Sequence, residues 1–148
     1  MHVVSLSLVI VLAACASTKG AGPYPAAQEV VDRVAAKHAD LVRLTLHAVP
    51  KGKTECTQLA STMAKRRGKP SDPEDRDAMR TGREIVLDEP GAIDVTVPIL
   101  KKDGKATAIA GVTLPVASGA DRNAVVGRAR AIAAEVEAEV RAAGKPLW

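Results

Sequence analysis

Two runs of alternating character, joined at Asp103-Gly104, constrain this chain more than any other feature. Residues 92–100 place Ile93, Val95, Val97 and Ile99 on one side; residues 105–116 do the same with Ala106, Ala108, Ala110, Val112 and Leu114. A period of two over such lengths is that of a strand with one buried face. Asp-Gly readily takes the positive backbone angles that a tight hairpin turn demands. The pair is therefore expected to form an antiparallel hairpin. The small side chains on its return strand suit a closely packed helix.

Two segments have the pattern for that packing. Residues 25–40 carry Val30, Val31, Val34, Ala35 and His38, with Leu41 just beyond, at three- and four-residue spacing. Residues 121–143 carry Val125, Ala129, Ile132, Val136 and Val140, with Asp121 as N-cap, a Glu137–Arg141 pair, and Gly144 and Pro146 as stop signals. Between them, residues 42–49 alternate as a strand, with Arg43, Thr45 and His47 on the polar side. A weaker strand fits residues 55–61, and a basic loop covers residues 63–70. Ser71-Asp72-Pro73-Glu74 reads as a helix start, Thr81-Gly82 as its end, and residues 84–88 as another strand. The expectation is one α+β domain over residues 24–148: a five-stranded antiparallel sheet with long N-terminal and C-terminal helices packed against it.

Residues 1–14 read as a lipoprotein signal peptide. The apolar run of residues 3–12 falls short of the ~20 residues a spanning helix needs, and Leu12-Ala13-Ala14-Cys15 resembles the bacterial lipobox. Cys15 is then the lipidated first residue of the mature chain, and residues 15–23 are a small, polar, glycine-containing tether. The expected location is the cell envelope, facing the periplasm, with the outer membrane favoured because Ala16 and not Asp follows the cysteine.

Only Cys56 remains as a second cysteine, so an acylated chain forms no internal disulfide. The histidines stand singly, without metal-ligand spacing, so neither a metal nor a cofactor is expected. The net charge of +4 is not accompanied by aromatic residues, of which there are one Tyr, one Trp and no Phe. Without a stacking platform, and in an exported chain, nucleic acid is not the expected partner; anionic envelope surfaces or a small anionic ligand suit the charge better.

Three stretches together resemble the single Cache-like branch of the PAS-like extracytoplasmic sensing domains. They are Leu44-Thr45-Leu46-His47-Ala48-Val49-Pro50; Leu59-Ala60-Ser61-Thr62, leading through Gly68-Lys69 and Ser71-Asp72 to Thr81-Gly82; and Asp94-Val95-Thr96-Val97-Pro98-Ile99 with Asp103-Gly104 and Ala110-Gly111-Val112. The resemblance implies a solute held on one sheet face beneath the loop and short helix that precede the third strand. The amino-acid-binding motif of such domains is not recognisable here, so no particular ligand is implied.

Alternation places Arg43, Thr45, His47, Asp94 and Thr96 on one sheet face, with Ser61, Lys65 and Arg67 near its rim. These are the candidate ligand-binding residues, for a small polar or anionic solute. The same positions also suit a sheet face open to water. His47 with Asp94 suggests an oriented base, but no nucleophile, phosphate loop or carboxylate pair accompanies them, so a non-catalytic role is expected over a hydrolytic one. The other class in play is an accessory or structural envelope lipoprotein that binds a protein partner.

Overall fold

The computed structural model describes residues 22–144 and 147–148; the expected signal peptide, Cys15 and most of the tether lie outside the described residues. The elements run α1 (Pro25–Ala35), β1 (Arg43–Ala48), β2 (Thr57–Ser61), α2 (Pro73–Thr81), β3 (Ile85–Glu89), β4 (Ala92–Lys102), β5 (Lys105–Pro115) and α3 (Arg122–Ala142), with a 3₁₀ turn at Ala64–Arg66. The strands form one sheet in the order β2-β1-β5-β4-β3, every pairing antiparallel. Among the described residues, no helix is long and apolar enough to cross a membrane.

The hairpin forms as its alternation predicts. Lys102 pairs with Lys105 across a turn in which Asp103 and Gly104 both have positive φ. Leu44, Leu46, Val95, Ala108, Ala110 and Val112 share one face, fully buried beneath α1 and α3. The small residues of β5 let α3 approach, with Ala129, Ile132, Ala133 and Val136 filling the gap. At the head of that stripe Val126 is buried, whereas Val125 is half-buried.

Two local expectations are corrected. The first helix ends at Ala35 and not near residue 40, because the chain must reverse for Leu41 to reach the core before β1; turns at His38 and Leu41 make that reversal. Gln28, a polar residue outside the apolar stripe expected for residues 25–40, is also buried. Its amide donates to the Ser61 carbonyl (3.1 Å) and accepts from the Ser61 N–H (3.0 Å), stitching α1 to β2.

Candidate functional site

The second sheet face is polar, and it is not open to water. In register across β1, β5 and β4 it presents Arg43, Thr45 and His47, then Gly111 and Thr113, then Asp94 and Thr96. All but Arg43 are buried. The cover is α2 together with the segment that precedes it.

Sequence determines why α2 sits there. Asp72 caps the helix, and the Asp75 carboxylate accepts from the Asp72 N–H (3.2 Å), closing a capping box. At the other end Gly82 takes the left-handed conformation, and an added Cβ would lie 2.8 Å from the Gly104 carbonyl oxygen. Only glycine fits that position. The helix is thus fixed at one end by its cap and seated at the other on the β4–β5 turn.

The resulting cluster is a chain of hydrogen bonds. His47 Nδ1 lies 2.9 Å from Ser71 Oγ and 3.4 Å from Asp75 Oδ2. Ser71 in turn donates to Cys56 Sγ (3.2 Å), and Thr96 Oγ1 donates to Asp75 Oδ1 (3.2 Å). Thr45 and Ser61 join their hydroxyls at 3.1 Å. Towards the margin, Thr113 donates to Asp94 Oδ1 (2.6 Å), while the Arg43 guanidinium bridges Asp94 (3.2 Å) and Glu89 (3.1 Å). Gly111 leaves room for the imidazole: a Cβ there would meet His47 Nε2 at 3.3 Å. Among the described residues, no buried side-chain nitrogen or oxygen lacks a hydrogen-bond partner.

Burial dominates the electrostatics. It pushes the His47 imidazole down to about 4 and the Asp75 carboxyl up to about 6. Burial also pushes the Cys56 thiol up, against the hydrogen bond from Ser71. For Arg43, burial opposes the charge, but Asp94 and Glu89 outweigh it and raise the guanidinium further. Chemically, this arrangement does not activate a nucleophile. Ser71 and Asp75 both approach the same ring nitrogen, whereas a Ser–His–Asp relay needs one on each. The Cys56 thiol is held protonated and out of solvent.

Of the residues singled out in the sequence, the structure brings Thr45, His47, Ser61, Asp94 and Thr96 into this cluster, with Arg43 at its margin. It does not join His47 to Asp94, whose partners are Thr113 and Arg43. Lys65 is exposed on the 3₁₀ turn. Arg67 donates to the Ser61 carbonyl (2.8 Å) from outside the cluster, and Arg66 is tied to Asp72 (2.9 Å). Ser71, Asp75 and Thr113 belong to the site and were missed. The first two carried a capping signal only, while Thr113 was legible from its place opposite the apolar side of β5.

No protein-family model matches this sequence, and no curated protein matches it. Among solved structures, the chain is similar to the GAF domain of an Acinetobacter phosphoenolpyruvate-protein phosphotransferase, at 12% identity, over 80% of this chain and 90% of that one, with a TM-score of 0.52. An IclR homolog from Microbacterium hydrocarbonoxydans, solved with 4-hydroxybenzoate, matches at 14% identity over 89% and 72% of the two chains, with a TM-score of 0.46. RsLOV matches at 18% identity over 85% and 98%, with a TM-score of 0.38. Likeness at such identities is likeness of fold. The chain has a GAF-like α+β architecture with a five-stranded antiparallel sheet, and the first of these structures carries the likeness.

Proposed function

We propose that this chain is an envelope-anchored lipoprotein whose single Cache-like domain binds a small polar or anionic solute, without chemistry, on the sheet face beneath α2. The observation that carries the reading is the buried polar cluster itself. Apolar residues of similar volume stabilise a fold at least as well as buried charges and hydroxyls, and the other face of this sheet is built that way. A polar set retained beneath one short helix fits recognition better than stability. Ser71 and Asp75 hold hydrogen bonds with His47 and Thr96; on this reading, binding exchanges those bonds for the solute's as α2 swings away. That filled face also supports the second reading, an accessory lipoprotein that uses the fold to hold a protein partner.

A thermal-shift screen of amino acids, carboxylates and small polyanions separates the two. A solute at a hundred times its dissociation constant is expected to add about 2.7 kcal/mol, roughly 10 °C at this size. Thr96→Val, which removes one hydroxyl at nearly constant volume, is expected to weaken that hit about tenfold. A broad screen without a hit, or a hit indifferent to Thr96→Val, favours the protein-partner reading. For the anchoring, supported by Leu12-Ala13-Ala14-Cys15, mass spectrometry of the mature N-terminus is expected to find a diacylglyceryl group on Cys15. An unmodified Cys15 in membrane-fractionated protein would end that part.

A further inference from the structure

The topology gathers uncompensated positive charge at one end of the sheet. Ala48 of β1 lies opposite Ala108 of β5, so the loop after β1, with Lys51 and Lys53, shares an end with the β4–β5 turn and its Lys101, Lys102 and Lys105. Lys69 joins them, because Pro70 bridges to Thr57 at the start of β2 and the Lys69 carbonyl accepts from the Gln58 N–H. All six lysines are exposed. Among the described residues, none of the six enters an ion pair. Near that end Glu55, Glu74 and Asp103 enter no ion pair among the described residues, while Glu137 is held by Arg141, so the lysines outnumber the free carboxylates two to one. The opposite end carries Asp40, Asp88, Glu89 and Asp121, three of them paired to arginines. The molecule is therefore electrically polarised along the strands.

The described N-terminus lies at the lysine end. Pro23 packs on Gly68, and Gly22 sits beside the Arg67 side chain. A cleft of about 420 Å³ between Tyr24, Lys53, Glu55 and Gly68 adjoins that entry. Whatever its path, the chain from Cys15 to Gly22 spans at most about 25 Å, short beside the ~35 Å breadth of a domain this size. A lipid on Cys15 thus holds this end, and no other, near the bilayer.

We propose that the lysine-rich end of the sheet docks on an anionic lipid surface, setting the domain with its basic end down and its acidic end away. The orientation rests on the anchoring reading above; the electrostatic contact does not need the lipid on Cys15. Each lysine near such a surface strengthens binding by about fivefold.

The test uses the full chain with Cys15→Ser, so that no acyl group holds it, and phosphatidylcholine vesicles with and without about one-third phosphatidylglycerol. Binding is expected to favour the anionic vesicles and to weaken with salt. Replacing Lys51, Lys53 and Lys69 by Gln is expected to cut that affinity by about a hundredfold. Replacing Arg33, Lys37 and Arg122 by Gln removes the same net charge from elsewhere, and is expected to cut it by less than about threefold. Equal losses, no preference for anionic vesicles, or binding to soluble heparin in their place would overturn the docking. The mass of the mature Cys15 reports separately on the anchor: acylated Cys15 without vesicle preference removes the docking alone, and unmodified Cys15 with intact preference removes the anchor alone.

Discussion

Ile132→Asp, or Val136→Asp, is expected to leave the chain with no cooperative thermal transition. Both side chains are buried where α3 meets the small residues of β5 and the valines of α1. Each substitution deletes a fully buried aliphatic group and leaves a carboxylate with no partner in an apolar layer. The two effects together cost several kcal/mol, against a total stability on the order of 5–15 kcal/mol for a domain. Ala131→Asp, one residue away on the exposed side of the same helix, is expected to shift stability by less than about 0.5 kcal/mol. Circular dichroism melting of the three variants checks the contrast. An Ile132→Asp variant that melts within a few degrees of the parent means that the packed face of α3 is another one.

The second large effect is a pair of opposite pH profiles. His47, lowered to about 4, stays neutral in the fold between that pH and its unfolded value of 6.5. The unfolded chain binds the extra proton there, so this group's contribution to stability is lost as pH falls through that window and recovers as it rises. Asp75, raised to about 6 from 3.8, does the reverse: the folded chain holds the proton, and stability falls as pH rises through the window. Between about pH 4 and pH 6 the two slopes oppose, and the pair contributes little net pH dependence.

Removing one partner uncovers the other. Taken as a difference from the parent, His47→Gln is expected to lose stability as pH rises from 4 to 6, and Asp75→Asn to gain it, each by on the order of 3 kcal/mol. The other charged or titratable groups facing the pair, Asp72, Asp94, Arg43, Arg66, Arg76 and Cys56, are common to all three proteins. Urea denaturation across that range reads the slopes. Two variants sloping the same way would mean that His47 and Asp75 do not carry the buried proton between them.

The fold was legible where a local rule decides it. The β4–β5 hairpin follows from alternation and Asp103-Gly104, α3 from its stripe and its Asp121 cap, and α2 from Asp72, Pro73 and Gly82. Position along the strand also put Thr45, His47, Asp94 and Thr96 on one face without further help. Closure of that face is a tertiary event. Nothing local says that a nine-residue helix folds back over β5, so Ser71 read only as part of a helix start, Asp75 drew no reading at all, and their role as partners of His47 and Thr96 stayed hidden. The same holds for Gln28, whose polarity concealed a buried contact with β2. Lys65 and Arg67 were placed by proximity in sequence, and the loop separates them: Lys65 is exposed, whereas Arg67 is half-buried and reaches the Ser61 carbonyl at the rim.

Native-state hydrogen exchange through α2 tests the central claim most directly, since a solute reaches the polar face only by displacing that helix. Only Asp75 and Ala78 of α2 are buried, and short elements with few apolar contacts open below the global free energy. The amides of residues 76–82 are expected to exchange through an opening several kcal/mol cheaper than the one governing Ile132 and Val136, and a solute from the screen is expected to slow them selectively. Amides of α2 that exchange only with global unfolding, in step with α3 and indifferent to the solute, would contradict the account.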